Sequence, residues 1–150
     1  FLCLILFDFG DTPDQEVGPI QRVSEWIYDY GKENDYGTIW RKRALADAVV
    51  HNGVVYLSGQ TATEAGDDIT LQSQQTLDKV SRLLEEHGSD RDHILHADVY
   101  LREQADVAAF NAVWDAWIQK ETAPTRACMV CKLGRTPIRV EVVVTAAVRE

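Results

Sequence analysis

Apolar residues recur along this chain in two rhythms, one near every third or fourth position and one at every second. The clearest helical rhythm runs through Leu71, Leu77, Val80, Leu83 and Leu84, one side of an α-helix that Gly88 closes. A second passes through Val107, Phe110, Val113, Trp114 and Trp117 and predicts a helix over residues 106–120. Between them, residues 94–101 set Leu95, Ala97, Val99 and Leu101 against His96, Asp98 and Tyr100, the alternation of a half-buried strand. Upstream, two β-rich runs over residues 46–50 and 54–57 flank Asn52-Gly53, a strong hairpin signal. Downstream of Pro124, strands are predicted over residues 126–133 and 138–148, joined by a turn at residues 134–137. Near the start, Ile20, Val23, Ile27 and Tyr30 lie at helical spacing between Pro19 and Gly31, which predicts a short amphipathic helix over residues 18–30.

The order hairpin, helix, strand, helix, two strands is that of an α+β domain. Both helices cover one face of a single mixed sheet, and the other face is left bare. Residues 44–150 form that domain and residues 1–43 an N-terminal extension; 150 residues are too few for two ordinary domains. The last strand is rich in β-branched residues on both sides, Val140, Val142, Val143 and Val144. A face of that kind is most easily buried against copies of itself, so the pattern alone predicts a homo-oligomer.

Charge narrows the partners. With 24 Asp and Glu against 15 Lys and Arg, the net charge is -9, which repels nucleic-acid phosphates and anionic membranes. Three cysteines, Cys3, Cys128 and Cys131, make an odd count without a disulfide framework and point to a reducing, cytoplasmic setting. The apolar opening at residues 1–7 lacks a basic flank and is too short to span a bilayer, so it is read as neither signal peptide nor anchor.

Two residues carry the most chemistry. Arg126 stands at the mouth of a strand, where a guanidinium either clamps a carboxylate with two parallel hydrogen bonds or forms a structural salt bridge. Glu141 follows fifteen positions later inside a valine-rich strand, as a solvent-facing residue or as a proton carrier. The other candidates weigh less. Cys128 and Cys131 form a lone C-x-x-C on a strand, with no second pair to complete a zinc site. His51, His87, His93 and His96 lack metal-ligand spacing, so no metal is expected. Trp114 and Trp117 read as core or subunit contact rather than a stacking platform. Ser58 lacks the context of a hydrolase nucleophile, and covalent catalysis is not expected.

Taken together, these blocks resemble the Rid/YjgF family of reactive-intermediate deaminases. The residues that carry the resemblance are Ser58-Gly59-Gln60 at the end of the hairpin, Phe110-Asn111-Ala112 in the second helix, Pro124-Thr125-Arg126, and Val140-Glu141-Val142. Their order and spacing span residues 44–148, while residues 1–43 fall outside the resemblance.

The resemblance implies a chorismate mutase-like fold and a homotrimer with its sheets facing the centre, with one pocket at each subunit interface. It also implies cofactor-free hydrolysis of small enamines or imines bearing a carboxylate. Arg126 would hold the substrate carboxylate and Glu141 would position a water, the two converging at a cleft shared between neighbouring protomers. Ser58, Gly59, Gln60, Asn111, Cys128 and Leu45 would line the substrate. Where many deaminating members carry a Tyr-Ser pair, this chain has Leu45-Ala46, which implies a more apolar pocket. Two other readings accompany this one: a non-catalytic module that binds small carboxylates, and an endoribonuclease, a label sometimes attached to the family and opposed by the net acidity.

Overall fold

The computed structural model describes residues 21–23, 45–62 and 64–150. Its main elements are β1 (Gln21–Val23), β2 (Ala48–His51), β3 (Val54–Leu57), α1 (Ile69–Glu86), β4 (Ile94–Leu101), α2 (Asp106–Trp117), β5 (Thr125–Val130) and β6 (Val140–Ala147). One six-stranded sheet runs β1-β2-β3-β6-β4-β5. All neighbours are antiparallel except β4 and β5, which α2 connects as a parallel crossover. β3 and β4 are also parallel to each other, with α1 between them in sequence and β6 inserted between them in the sheet. The mixed sheet with two helices expected from the order of elements is therefore present.

Local chemistry explains each boundary. Asn52 and Gly53, at φ of 49° and 71°, supply the two positive φ values that a two-residue hairpin between β2 and β3 requires. Asp68 caps α1 by accepting from the Leu71 amide at 3.0 Å. β6 begins at Val140 rather than 138, because the Ile138 amide bonds back to Arg135 and that of Arg139 to Gln72 Oε1. α2 ends at Trp117 rather than 120, where Ile118 turns to an extended ψ of 144°.

Residues 21–23 correct one expectation. They form β1, antiparallel to β2 with Arg22 opposite Val49, so the helix predicted over residues 18–30 does not hold there. The rim of β2 offers backbone groups to pair, and pairing them overrides the helical spacing at residues 21–23. The remainder of that predicted helix lies outside the described residues.

The core lies between the sheet and the helices. Val55, Leu57, Ala97, Val99, Leu101, Val140, Val142, Val144 and Ala146 are buried under Leu77, Val80, Leu83, Leu84, Phe110 and Trp114. Trp117 Nε1 donates to Ser81 Oγ at 3.0 Å and ties the two helices together. Leu71, expected on the buried stripe, is exposed in the first turn; Gln72, Ser73 and Thr76 are buried instead. Gln72 is occupied at both ends, donating to Pro137 O at 2.8 Å and accepting from the Arg139 amide at 2.8 Å. Nearby, buried Asp106 pairs with the Arg139 guanidinium and holds its pKa above the usual arginine value.

The opposite sheet face presents Val49, Val54, Tyr56, Tyr100, Met129, Glu141, Val143 and Thr145, all half-buried or exposed in a single chain. Among the described residues no helix covers it, as expected from the sequence.

Candidate active site

Ser58, Gly59 and Gln60 follow β3, where the pairing with β6 slips by one residue. Tyr56 lies opposite Thr145 and Gln60 opposite Val142, so three residues on one strand face two on the other, a β-bulge. The Ser58 amide bonds to Asp47 O at 3.0 Å, and the Gln60 amide to Val142 O at 2.8 Å. Those two bonds leave the amide of exposed Gly59 as the one in this motif available to a ligand. Gly59 also makes room for Glu141. A Cβ at Gly59 would overlap Glu141 Oε1 and come within 2.9 Å of its carboxyl carbon, so the Glu141 side chain lies across a surface only glycine provides.

Gln60 does not line the surface as expected. Its side chain is 1% exposed and donates to Ser58 O at 2.8 Å and Ser58 Oγ at 3.2 Å, closing the bulge from within. Leu45 stands just before β2 and is 61% exposed.

Arg126 occupies a second locus. It faces α2, where its Nη2 donates to Asn111 Oδ1 at 2.9 Å and its guanidinium carbon sits 5.0 Å from the Trp114 ring centre and 5.9 Å from that of Phe110. Asn111, expected to touch substrate, accepts this hydrogen bond from the arginine. Cys128, two residues on, shares this face of β5, as alternation predicts. Trp114 is a core residue, as expected, and is also the platform under the guanidinium, which the sequence reading missed. A signal was present: Asn111 and Trp114 are one helical turn apart on the element that crosses over into Arg126's strand.

Arg126 and Glu141 do not meet within one chain. Arg126 pairs in register with Ala97, and Glu141 with Tyr100. Those two β4 residues are three apart and point to opposite faces of the sheet. Arg126 therefore flanks the helix-covered face and Glu141 the bare one. Convergence of the two requires a second copy.

Among the described residues, no three His, Cys, Asp or Glu side chains are placed to hold a metal ion. Among the same residues, no helix is long and apolar enough to cross a membrane.

Comparison with known proteins shows the family and the fold. The family model described as Endoribonuclease L-PSP matches residues 41–148. The chain belongs to the endoribonuclease L-PSP family. Within this L-PSP family it is similar to a RutC family protein of Haemophilus ducreyi, 35% identical over 104 residues, 69% of this chain and 89% of the relative. It is also similar to the 2-iminobutanoate/2-iminopropanoate deaminase of Escherichia coli, 28% identical over 104 residues, 68% of this chain and 79% of that one. Among solved structures, a YjgF protein family member from Neisseria meningitidis superposes with a TM-score of 0.68 at 40% identity, covering 71% of this chain and 88% of the other. The resemblance to the Rid/YjgF proteins, and the fold it implied, are borne out.

Proposed function

We propose that this protein hydrolyses small imines bearing a carboxylate, together with the enamines that tautomerise to them, releasing ammonia and a 2-oxo acid. The reaction takes place at pockets between subunits of a homotrimer. The observation that carries the reading is the state of Arg126. Its guanidinium has five N–H donors, of which Asn111 engages one. Nη2 bears two hydrogens, so whichever one Asn111 takes, a complete two-hydrogen fork remains for a carboxylate.

Glu141 of a neighbouring copy then lies across the fork from the substrate's reacting carbon. It accepts a proton from water as the water oxygen bonds to the imine carbon and passes it to the nitrogen, giving a carbinolamine. The remaining hydroxyl proton reaches the nitrogen by the same carboxylate as the C–N bond breaks, so that ammonia leaves and the oxygen stays as the 2-oxo group. The Gly59 N–H orients the substrate. An imine needs little activation, so positioning and charge complementarity supply the catalysis. The deaminase of Escherichia coli among the relatives supports this choice of reaction.

A second reading is a carboxylate-binding module without turnover. It draws support from the geometry, because Arg126 with Asn111 and Trp114 is a complete anion receptor within one chain and needs nothing from Glu141. Ammonia release from 2-iminobutanoate generated in situ separates the two. The proposal expects acceleration that Arg126→Ala abolishes, and in Arg126→Lys a KM raised by about thirtyfold, the loss of one charge-assisted hydrogen bond. Equal rates with wild type, Arg126→Ala and no protein would sink the enzyme reading. Binding of 2-oxobutanoate without turnover would establish the second.

A further inference from the structure

Four side-chain torsions separate the Arg126 backbone from its fork, so an exposed arginine at this position would ordinarily sample many orientations. Contacts from α2 restrict it. Asn111 Oδ1 holds one corner at 2.9 Å, and the Trp114 ring lies 5.0 Å from the guanidinium carbon. The ring is itself fixed. Trp114 is 5% exposed and packs between Phe110, at 6.0 Å between ring centres, and Trp117, at 5.4 Å. Trp117 is anchored in turn by its bond to Ser81 of α1. A continuous set of contacts thus runs from one helix, through two indoles, to the guanidinium.

The choice of an aromatic partner has a chemical consequence. A carboxylate beside Arg126 would neutralise its charge and occupy a fork. An aromatic face attracts the flat side of the guanidinium and leaves every N–H in the plane free. Among the described residues, no carboxylate forms an ion pair with Arg126. The contact with the Trp114 ring thus restrains the group without consuming what a ligand needs.

From this we infer that Trp114 is a positioning residue for carboxylate recognition: its face sets the plane of the Arg126 guanidinium while Asn111 sets the rotation within that plane. The inference rests on the reading of Arg126 as the carboxylate grip and deepens it.

Four proteins test it: wild type, Trp114→Leu, Trp114→Phe and Arg126→Ala. Titration with 2-oxobutanoate gives Kd, and hydrolysis of 2-iminobutanoate gives KM and kcat. Trp114→Leu is expected to raise Kd and KM by about tenfold, the magnitude of a partly desolvated cation–π contact, with kcat little changed. Trp114→Phe, which restores a ring face, recovers most of that loss. Nuclear magnetic resonance of the wild type gives a readout that needs no folded variant at position 114. The Arg126 Nε proton, identified by its loss in Arg126→Ala, resonates upfield under the indole ring current.

An Arg126 signal at the ordinary arginine position overturns the inference, as does a folded Trp114→Leu with unchanged Kd and KM, or a Phe variant as impaired as the Leu variant. If the wild type binds 2-oxobutanoate, Arg126→Ala does not, and Trp114→Leu is indifferent, only the role of Trp114 falls. If the wild type fails to bind, or Arg126→Ala binds equally well, the reading of Arg126 falls and takes this inference with it.

Discussion

At the scale of single residues, the sharpest constraint is the contact between Gly59 and Glu141. A methyl group at position 59 has no room while the Glu141 carboxyl keeps its place, and of the two groups the carboxyl is the freer to move. Gly59→Ala should therefore leave stability nearly intact, since the half-exposed glutamate swings aside, while kcat falls by about a hundredfold, as displaced catalytic groups commonly cost. Urea denaturation and ammonia release measured on one preparation check both halves; a large stability loss with unchanged kcat would place the role of Gly59 in folding alone. The sequence pointed to Gly59 only through a family motif. Its steric reason was not legible there, because the slip that brings Gly59 over Glu141 depends on the register of two strands more than eighty residues apart in the chain. Gln60 was misjudged for the same reason. The bulge turns its side chain inward, and no local pattern announces a bulge.

At the scale of elements, α1 and its exit were the most legible part of the chain. The helix ends in a Schellman arrangement: Ser89 N–H bonds to Leu84 O at 2.8 Å and Gly88 N–H to Glu85 O at 3.2 Å, with Gly88 at φ of 75°. A Cβ there would sit 3.6 Å from Val148, an ordinary contact, so the strain of a substitution is conformational rather than steric. Gly88→Ala should thus cost about 1 kcal/mol, read as a lower urea midpoint with an unchanged slope, and should leave KM untouched. A variant as stable as the wild type would show that this turn tolerates a side chain. Repeated short-range chemistry made such elements readable: Asn52-Gly53, Asp68 and Gly88 each act within a few residues. Strand ends and β1 were less readable, since they depend on distant partners. β1 exists where the rim of β2 needs pairing, and β6 starts only where Gln72, from α1, releases the backbone amides.

At the scale of the whole molecule, the opposed placement of Arg126 and Glu141 turns an expectation about assembly into one about catalysis. Under the proposed reaction each chain carries half a site on each face of its sheet, so that reaction requires the arginine of one copy to face the glutamate of another. The last strand, with Val140, Val142, Val143 and Val144, anticipated self-association from the sequence, but that the two catalytic candidates diverge became visible only with the register of β4 against both β5 and β6. Complementation tests the consequence. Arg126→Ala and Glu141→Gln should each be inactive alone and should each sediment as a trimer. Co-expressed in equal amounts, they assort so that about a quarter of the interfaces pair an intact arginine with an intact glutamate, and about a quarter of the wild-type rate should return. A site built within one chain would recover nothing, since every chain lacks one of the two groups. In the binding-module reading, Glu141→Gln alone would keep full affinity for 2-oxobutanoate and neither single variant nor their mixture would release ammonia. The recovered fraction thus reports on which copies share a pocket, and its absence in a trimer that still binds carboxylate would move Glu141 out of the mechanism.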